Sequence, residues 1–360
     1  MQFAVYQCVY ALSFLNMRVY QYYICALFVC LCILYRIHLT TKKESAIYIC
    51  LILNLFISMN KSIIVIGSCN TDMVIKANRL PVPGETVIGG SFMMNSGGKG
   101  ANQAVAAARL KGDVHFIAKT GNDLFGKRSI EQYEDESIHV ENIYSDSTLP
   151  SGVALIMVDV NGENSIAVAS GANGSLSPQD IEKARSTIER GDILLMQLEI
   201  PMETVEYAAQ IANEQGLKVI LNPAPACALS DKLLQNLYMI IPNETEAEIL
   251  SGIKVTDWES ARKAADIISD RGVDIVVITM GAKGAFIKEG DKYHEVIASK
   301  VKTVDTTAAG DTFCGSLCVA LSEDMGILDA VKFANKCASI TVTRMGAQSS
   351  LPYRKEVDAL

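Results

Sequence analysis

Four short apolar runs, Asp192–Leu198, Leu217–Leu221, Leu237–Ile241 and Asp274–Thr279, alternate with segments of helical pattern at Met202–Gln215, Asp231–Gln235, Glu244–Leu250 and Asp257–Arg271. A strand with no polar alternation is buried on both faces, and strands separated by helices run parallel. The pattern restricts the chain to an α/β fold: a doubly wound, mostly parallel sheet with helices on both faces. Ser62–Gly67 (SIIVIG) is a strand of the same kind, Val114–Lys119 another, and Leu124–Glu136 a helix. Ser177 and Pro178 open a further helix as N-cap and first position. Outside this rhythm, Pro81–Glu85 reads as a rigid turn and Thr86–Phe92 as a strand. Gly152–Val160 and Asn164–Ala169 read as a hairpin around Asn161-Gly162. Strands over about 72–95 and 152–169 therefore predict a small second sheet beside the main one. Near the end, an extended run over Val301–Asp305 leads through small residues into a helix from about Thr312 to Ser322, and Ile327–Arg344 predicts another helix.

The 360 residues suffice for one large α/β domain or two small ones. The formal net charge is −8; residues 1–60 hold Arg18, Arg36, Lys42 and Lys43 against Glu44, so the remainder carries −11. An acidic body without a basic tract argues against nucleic acid as partner. Ten cysteines without CxxC pairs, and four histidines without HxxxH, predict reduced thiols in a cytosol-like compartment and no structural zinc site. Residues 1–58 differ in kind. Val19–Tyr35 is a near-continuous apolar run at the lower limit for a membrane span, flanked by tyrosines, and Ala46–Ser58 is a shorter one. A membrane anchor, a targeting segment and an upstream in-frame translation all remain open. Residues 59–360 read as a cytoplasmic domain, with membrane association only through residues 1–58.

Chemistry concentrates where strands end. Ala308, Ala309 and Gly310 carry almost no side chain, so their backbone N–H groups can approach an anion at a helix N-terminus. Asp311 places a carboxylate beside them. Either it removes a proton from a hydroxyl while the amides hold a phosphoryl group, or it merely caps the helix. Asn70 and Asp72 follow the first strand, where open α/β sheets bind ligands; a polar turn explains them equally. Gly97-Gly98-Lys99-Gly100-Ala101-Asn102 opens a helix but is no Walker A loop, since Met93 and Gly100 stand where glycine and Ser/Thr would be needed. There is no GxGxxG between strand and helix. Glu199 lies beyond another strand. Asn243-Glu244-Thr245-Glu246 lies beyond a third, where a capping box would also explain it. Thr279-Met280-Gly281-Ala282-Lys283-Gly284 is a glycine-flanked turn suited to a phosphate or nucleotide.

In this order the segments GSCNTD (67–72), PVPGETV (81–87), GGKGANQAVAA (97–107), LNPAPA (221–226), PNETEAE (242–248), VDTTAAGDTF (304–313) and VTRMGAQ (342–348) resemble the ribokinase branch of the phosphofructokinase-B family of sugar kinases. The resemblance runs from about Lys61 to the C-terminus. It implies a ribokinase-like fold with the small β-sheet as a lid, which pairs with a second subunit in a homodimer. It implies ATP-dependent phosphorylation of D-ribose at the 5-hydroxyl; deoxyribose, fructose or a nucleoside are the sibling substrates. Asn70, Asp72, Gly98, Lys99, Asn102 and Glu199 would contact the sugar. Asp311 would be the base, with Ala308, Ala309 and Gly310 as the anion hole. Asn243, the Thr279–Gly284 turn (Thr279, Met280, Gly281, Ala282, Lys283, Gly284), Gly310 and Asn335 would contact ATP. Glu246 would help organise Mg2+ indirectly. Asp305, Thr307, Thr341, Arg344, Gly346 and Ser350 would surround K+, mostly through carbonyls, unless Asp305 simply pairs with Arg344. A non-catalytic sugar-binding regulator is the reading from another class, and the intact Gly310-Asp311 pair argues against it.

Overall fold

Ile63 and Val65 pack into one buried cluster and Ile64 and Ile66 into another. Successive side chains of a strand point to opposite faces, so Ser62–Ile66 has a hydrophobic layer on each side. The computed structural model describes residues 61–360. Its strands are β1 (Ser62–Ile66), β2 (Asn70–Lys76), β3 (Ser91–Gly97), β4 (Asp113–Gly121), β5 (His139–Asp146), β6 (Gly152–Val158) and β7 (Asn164–Ala169). They continue with β8 (Ile193–Met196), β9 (Lys218–Leu221), β10 (Met239–Ile240), β11 (Ile275–Thr279), β12 (Gly284–Glu289) and β13 (Lys292–Ile297).

Nine strands form one sheet in the order β13-β12-β11-β10-β9-β8-β1-β4-β5. From β11 to β5 every pairing is parallel; β12 and β13 close one edge as an antiparallel hairpin. One hydrophobic layer packs the helices Lys99–Arg109, Ala309–Ser322 and Ile327–Thr341 against the sheet; the other packs Met202–Glu214 and Trp258–Asp270. The second sheet has the order β3-β2-β6-β7, with β2 and β6 parallel and the outer pairs antiparallel. The fold is the expected doubly wound α/β architecture with a small accessory sheet.

Several boundaries move, each for a physical reason. The strand expected at Thr86–Phe92 begins at Ser91, because Gly89 and Gly90 take φ of 111° and 103°. That conformation interrupts a strand, and a Cβ on Gly90 would lie 2.1 Å from the Lys76 carbonyl oxygen. Val301–Asp305 forms no strand. The following helix starts at Ala309 rather than Thr312, and the last long helix ends at Thr341 rather than Arg344. β5, β12 and β13 were not expected: β5 and β13 lie at the two sheet edges and mix charged and apolar residues, and β12 is a short buried strand (GAFIKE) that ends in Lys288 and Glu289. Cys69, Cys314, Cys318 and Cys337 are buried free thiols and Cys227 a half-buried one. No helix among the described residues is long and apolar enough to cross a membrane. The runs Val19–Tyr35 and Ala46–Ser58 lie outside the described residues.

Candidate active site

β1 has β4 on one side and β8 on the other, so the strand order reverses there, and the crevice beyond the strand ends at such a point is where α/β sheets hold ligands. Ser68 to Asp72 leave β1, Gln197 and Glu199 leave β8, Asn222 leaves β9, Asn243 leaves β10, and Thr279 ends β11. The first turn of the helix Ala309–Ser322 meets them. A cavity of about 220 Å³ lies between, lined by Lys99, Asn222, Asn243, Glu246, Thr279, Thr306, Ala308, Gly310 and Asp311, with Cys314 below.

Asp311 does not cap its helix. The cap position is Ala308, in the left-handed conformation with φ of 60° and no side-chain cap bond. Asp311 sits in the first turn, and Asn102 Nδ2 donates to its Oδ2 at 2.9 Å while Gln103 Nε2 donates to its Oδ1 at 3.0 Å. Burial pushes the Asp311 carboxyl up; the Lys99 ammonium and the two amides pull it back part of the way. Among the first-turn donors, Ala309 N–H turns back to the Thr306 carbonyl at 3.2 Å. The N–H groups of Gly310 and Asp311 have no carbonyl four residues earlier in the helix and open on an anion-attracting end. The anion hole expected over Ala308 to Asp311 thus narrows at Ala309.

Asn70 and Asp72 do not lie in a turn. They begin β2 at the root of the small sheet. Asn173 fixes the entry: its Oδ1 accepts from Cys69 N–H at 2.9 Å and its Nδ2 donates to Asn70 Oδ1 at 2.7 Å. Glu199 Oε2 accepts from Ser68 Oγ at 2.6 Å and from Lys99 N–H at 3.0 Å. Gly97 has to be small, since a Cβ there would meet the Asp72 carboxylate at 2.2 Å. Gly98 precedes the helix with φ of 89°, which only glycine adopts without strain. The Asp72 carboxyl is pushed up to about 7, chiefly by burial and then by the charges of Glu199 and Asp311. Burial pulls the Lys99 ammonium down, but Asp311, Glu199 and Glu246 more than offset it and its pKa is raised.

Asn243 and Glu246 form the capping box the sequence allowed: Asn243 Oδ1 accepts from Glu246 N–H at 2.8 Å, and Glu246 Oε2 from Asn243 N–H at 2.9 Å. Both nevertheless line the cavity, and burial raises the Glu246 carboxyl. Capping and ligand contact are compatible here, because the box uses one oxygen of each side chain. Of the residues expected at the nucleotide, Thr279 and Gly310 also line the cavity, whereas Gly281, Ala282, Gly284 and Asn335 lie outside it. The Met280 side chain belongs to the core, so only its backbone can face a ligand. Lys283 Nζ donates to the Thr256 carbonyl. Asn335 Nδ2 donates to the Val296 carbonyl at 3.3 Å.

The segment before the helix is tied to the loop after the last long helix. Val304 N–H donates to the Val342 carbonyl at 2.7 Å, and Gly346 N–H to Asp305 Oδ2 at 2.9 Å. Asp305 Oδ1 accepts from Thr307 N–H and Oγ1. Burial would raise the Asp305 carboxyl, but these donors outweigh it and hold the pKa low, so it is charged at neutral pH. The Asp305–Arg344 pair entertained from sequence does not form; Arg344 pairs with Glu356 at 2.7 Å. Thr341 Oγ1 shares a hydrogen bond with Thr312 Oγ1 at 2.9 Å, and Ser350 Oγ donates to the Ala347 carbonyl at 2.7 Å. An ionised carboxylate between two converging backbone segments fits a hard monovalent cation.

Sequence reasoning missed Gln103, Gln197, Asn222, Asn173 and Ser68. Gln103 and Gln197 are wholly buried amides, and Gln197 Nε2 donates to Gln103 Oε1 at 2.6 Å. A glutamine inside an otherwise apolar strand or an alanine-rich helix was the available signal, because buried amides require partners.

The profile of the family described as pfkB family carbohydrate kinase matches residues 60–354. The chain belongs to that family. Among pfkB carbohydrate kinases it is similar to the ribokinase of Haemophilus influenzae, 47% identical over 298 residues that span 83% of this chain and 97% of that protein. It is also similar to the deoxyribokinase of Salmonella typhimurium, 38% identical over 291 residues, 81% of this chain and 95% of that one. The solved structure of Arabidopsis thaliana ribokinase complexed with ribose and ATP matches with a TM-score of 0.80 at 31% identity, covering 84% of this chain and 98% of that one.

Proposed function

We propose that this pfkB-family kinase transfers the terminal phosphoryl group of ATP to the 5-hydroxyl of D-ribose, with Asp311 as the base. The observation that carries the reading is the buried Asp311 carboxylate, gripped by Asn102 and Gln103 in the first turn of a helix whose free N–H groups open on the same cavity. Phosphoryl transfer asks the protein mainly to position the partners and neutralise charge. Asp311 accepts the hydroxyl proton; Gly310 and Asp311 N–H groups stabilise the charge on the transferred group. Lys99, which faces the acidic residues, supplies the nearest positive side chain. Asp72, Asn70, Glu199, Gly98 and Asn102 read the sugar hydroxyls, and a sugar lacking one would leave a buried partner unpaired.

Asn243 and Thr279 contact ATP, with the 280–284 turn contributing backbone. Glu246 would hold Mg2+ indirectly beside the phosphates. Asp305, Thr307, Thr341, Arg344, Gly346 and Ser350 would hold K+. Bound there, the cations offset phosphate charge and stiffen the backbone before the helix. Residues 59–360 make up the kinase, and activity of that fragment alone tests the boundary. The small sheet closes over the sugar and joins two copies.

The 38% identity to a deoxyribokinase supports a second reading, deoxyribose as substrate. Both are tested by ATP consumption against a panel of ribose, deoxyribose, fructose and nucleosides. Ribose giving the highest kcat/KM supports the first; deoxyribose ahead of ribose overturns it.

A further inference from the structure

We propose that Asp113, His115 and His139 bind one divalent transition-metal ion of the zinc class, at the end of the main sheet away from the active site. Asp113 and His115 lie at the start of β4, and His139 is the first residue of β5. The strands are parallel, and the catalytic residues follow their opposite ends. His115 and His139 face each other in the strand register, so their rings stack with centroids 4.2 Å apart and planes 12° apart. Asp113 lies two residues before His115 and so shares its face.

Both imidazoles turn the same atom to one carboxylate. His139 Nε2 lies 3.1 Å from Asp113 Oδ1, and His115 Nε2 lies 3.9 Å from Asp113 Oδ2. One ligand atom from each residue falls within 4.8 Å of the other two. Donors around a tetrahedral ion with bonds of about 2.0–2.1 Å stand roughly 3.3 Å apart. The two stacked rings must therefore turn out of parallel, and His115 move closer to Asp113 than 3.9 Å, for both Nε2 atoms to face one ion; His139, 45% exposed, has room to turn.

The surroundings orient the ligands. Ser62 Oγ donates to Asp113 Oδ2 at 2.7 Å. Glu141 Oε1 lies 3.6 Å from His139 Nδ1, the nitrogen that faces away from the carboxylate of Asp113. At 3.6 Å this is not a hydrogen bond, but a small turn of the exposed Glu141 would bring its carboxylate onto the far nitrogen of a ligating histidine, which raises the basicity of the ring. Two imidazoles and one carboxylate select Zn2+, Co2+ or Ni2+ over Mg2+ or K+, which prefer oxygen donors throughout. Because the ligands are distant in sequence, no short motif reveals them. The ion would pin the edge strand β5 to β4.

The test is titration of the full chain with Co2+, without sugar or nucleotide, read by visible d–d absorption, and with Zn2+ by calorimetry. Wild-type protein should take up one equivalent more than His115→Ala/His139→Ala, and Zn2+ should raise the Tm of the wild type but not of the variant. Glu141→Gln should weaken binding about 10-fold. Kinase activity with saturating Mg2+ and ATP should be equal in all of them. Equal metal uptake by wild type and double variant overturns the proposal. If the double variant does not fold, His139→Gln replaces it, and retention of the full uptake there overturns it equally.

Discussion

Gln103 Nε2 donates to Asp311 Oδ1 at 3.0 Å and to Asn222 Oδ1 at 3.1 Å, while Gln103 Oε1 accepts from Gln197 Nε2. Asn222 Nδ2 in turn donates to the Ile241 carbonyl at 3.0 Å. The Asp311 carboxylate is therefore held by a buried amide chain anchored on three strand ends, not by its own helix alone. Gln103→Ala should lower kcat about 10-fold or more, since a displaced base loses its alignment with the hydroxyl. The ribose KM should change far less. Steady-state kinetics checks this; a raised KM with unchanged kcat would make Gln103 a sugar contact instead.

The acid cluster gives the enzyme a pH signature. As the proposed sugar contact, Asp72, pushed up to about 7 by burial and by Glu199 and Asp311, accepts hydroxyls more strongly when ionised. The ribose kcat/KM should rise as pH passes through about 7, and Asp72→Asn should flatten that limb; the titration belongs to the coupled cluster. Stability moves the other way. The folded state keeps a proton that the unfolded chain has lost, so this contribution is full below the ordinary carboxylate pKa and disappears as pH rises through about 7. Asp72→Asn should accordingly stabilise ligand-free enzyme by about 1–2 kcal/mol at pH 8 relative to its effect at pH 4. Denaturant unfolding at both values checks it, and an equal effect at both contradicts it.

Asp305 joins the segment before the helix Ala309–Ser322 to the Gly346 loop, and among the described residues no cationic side chain is bonded to it, Arg344 being engaged with Glu356. With Na+, K+ or Cs+ as sole monovalent cation, the wild-type kcat should be highest in K+. Asp305→Ala should lose several-fold in kcat and most of the difference between salts, because the effect acts on the anion hole in the transition state. Equal wild-type rates in all three salts would remove the ion from the account.

The small sheet is apolar on both faces. Strand register puts Ile75, Phe92 and Leu155 on one face, and Ile166 and Val168 on the face that carries Asp72. Phe92 is 60% and Leu155 55% exposed. In the proposed function the Asp72 face closes on the sugar and the opposite face meets a second copy. Leu155→Lys should shift the mass measured by light scattering from dimer towards monomer. A wild-type monomer at micromolar concentration would exclude this interface.

Much of this was legible in the sequence, for reasons that differ by element. β8 to β11 show as uninterrupted apolar runs because both faces are buried, and Gly97-Gly98 shows because Asp72 leaves no room for a Cβ at Gly97. β3 was displaced because Gly89 and Gly90 break the extended run at a point that apolar content conceals. β5 (HVENIYSD) and β13 were missed because edge strands tolerate charge, and β12 because its six residues (GAFIKE) open on a glycine and close on two charges. Among the site residues, Asp311 announces itself as an acid beside glycine, and Asp72 as an acid just past the first apolar strand. Gln103 and Asn173 do not, since an amide's role depends on partners such as Asp311 and Cys69 that are remote in sequence.

The role of Asp311 is tested most directly by comparing ribose 5-phosphate formation by wild type and Asp311→Asn under saturating ATP and Mg2+, with ribose binding measured on the same samples. The account predicts that wild-type enzyme forms ribose 5-phosphate, and that the variant binds ribose normally but turns over about 10²-fold more slowly or worse, the loss expected for removal of a general base. Turnover by Asp311→Asn within a few-fold of wild type would contradict it.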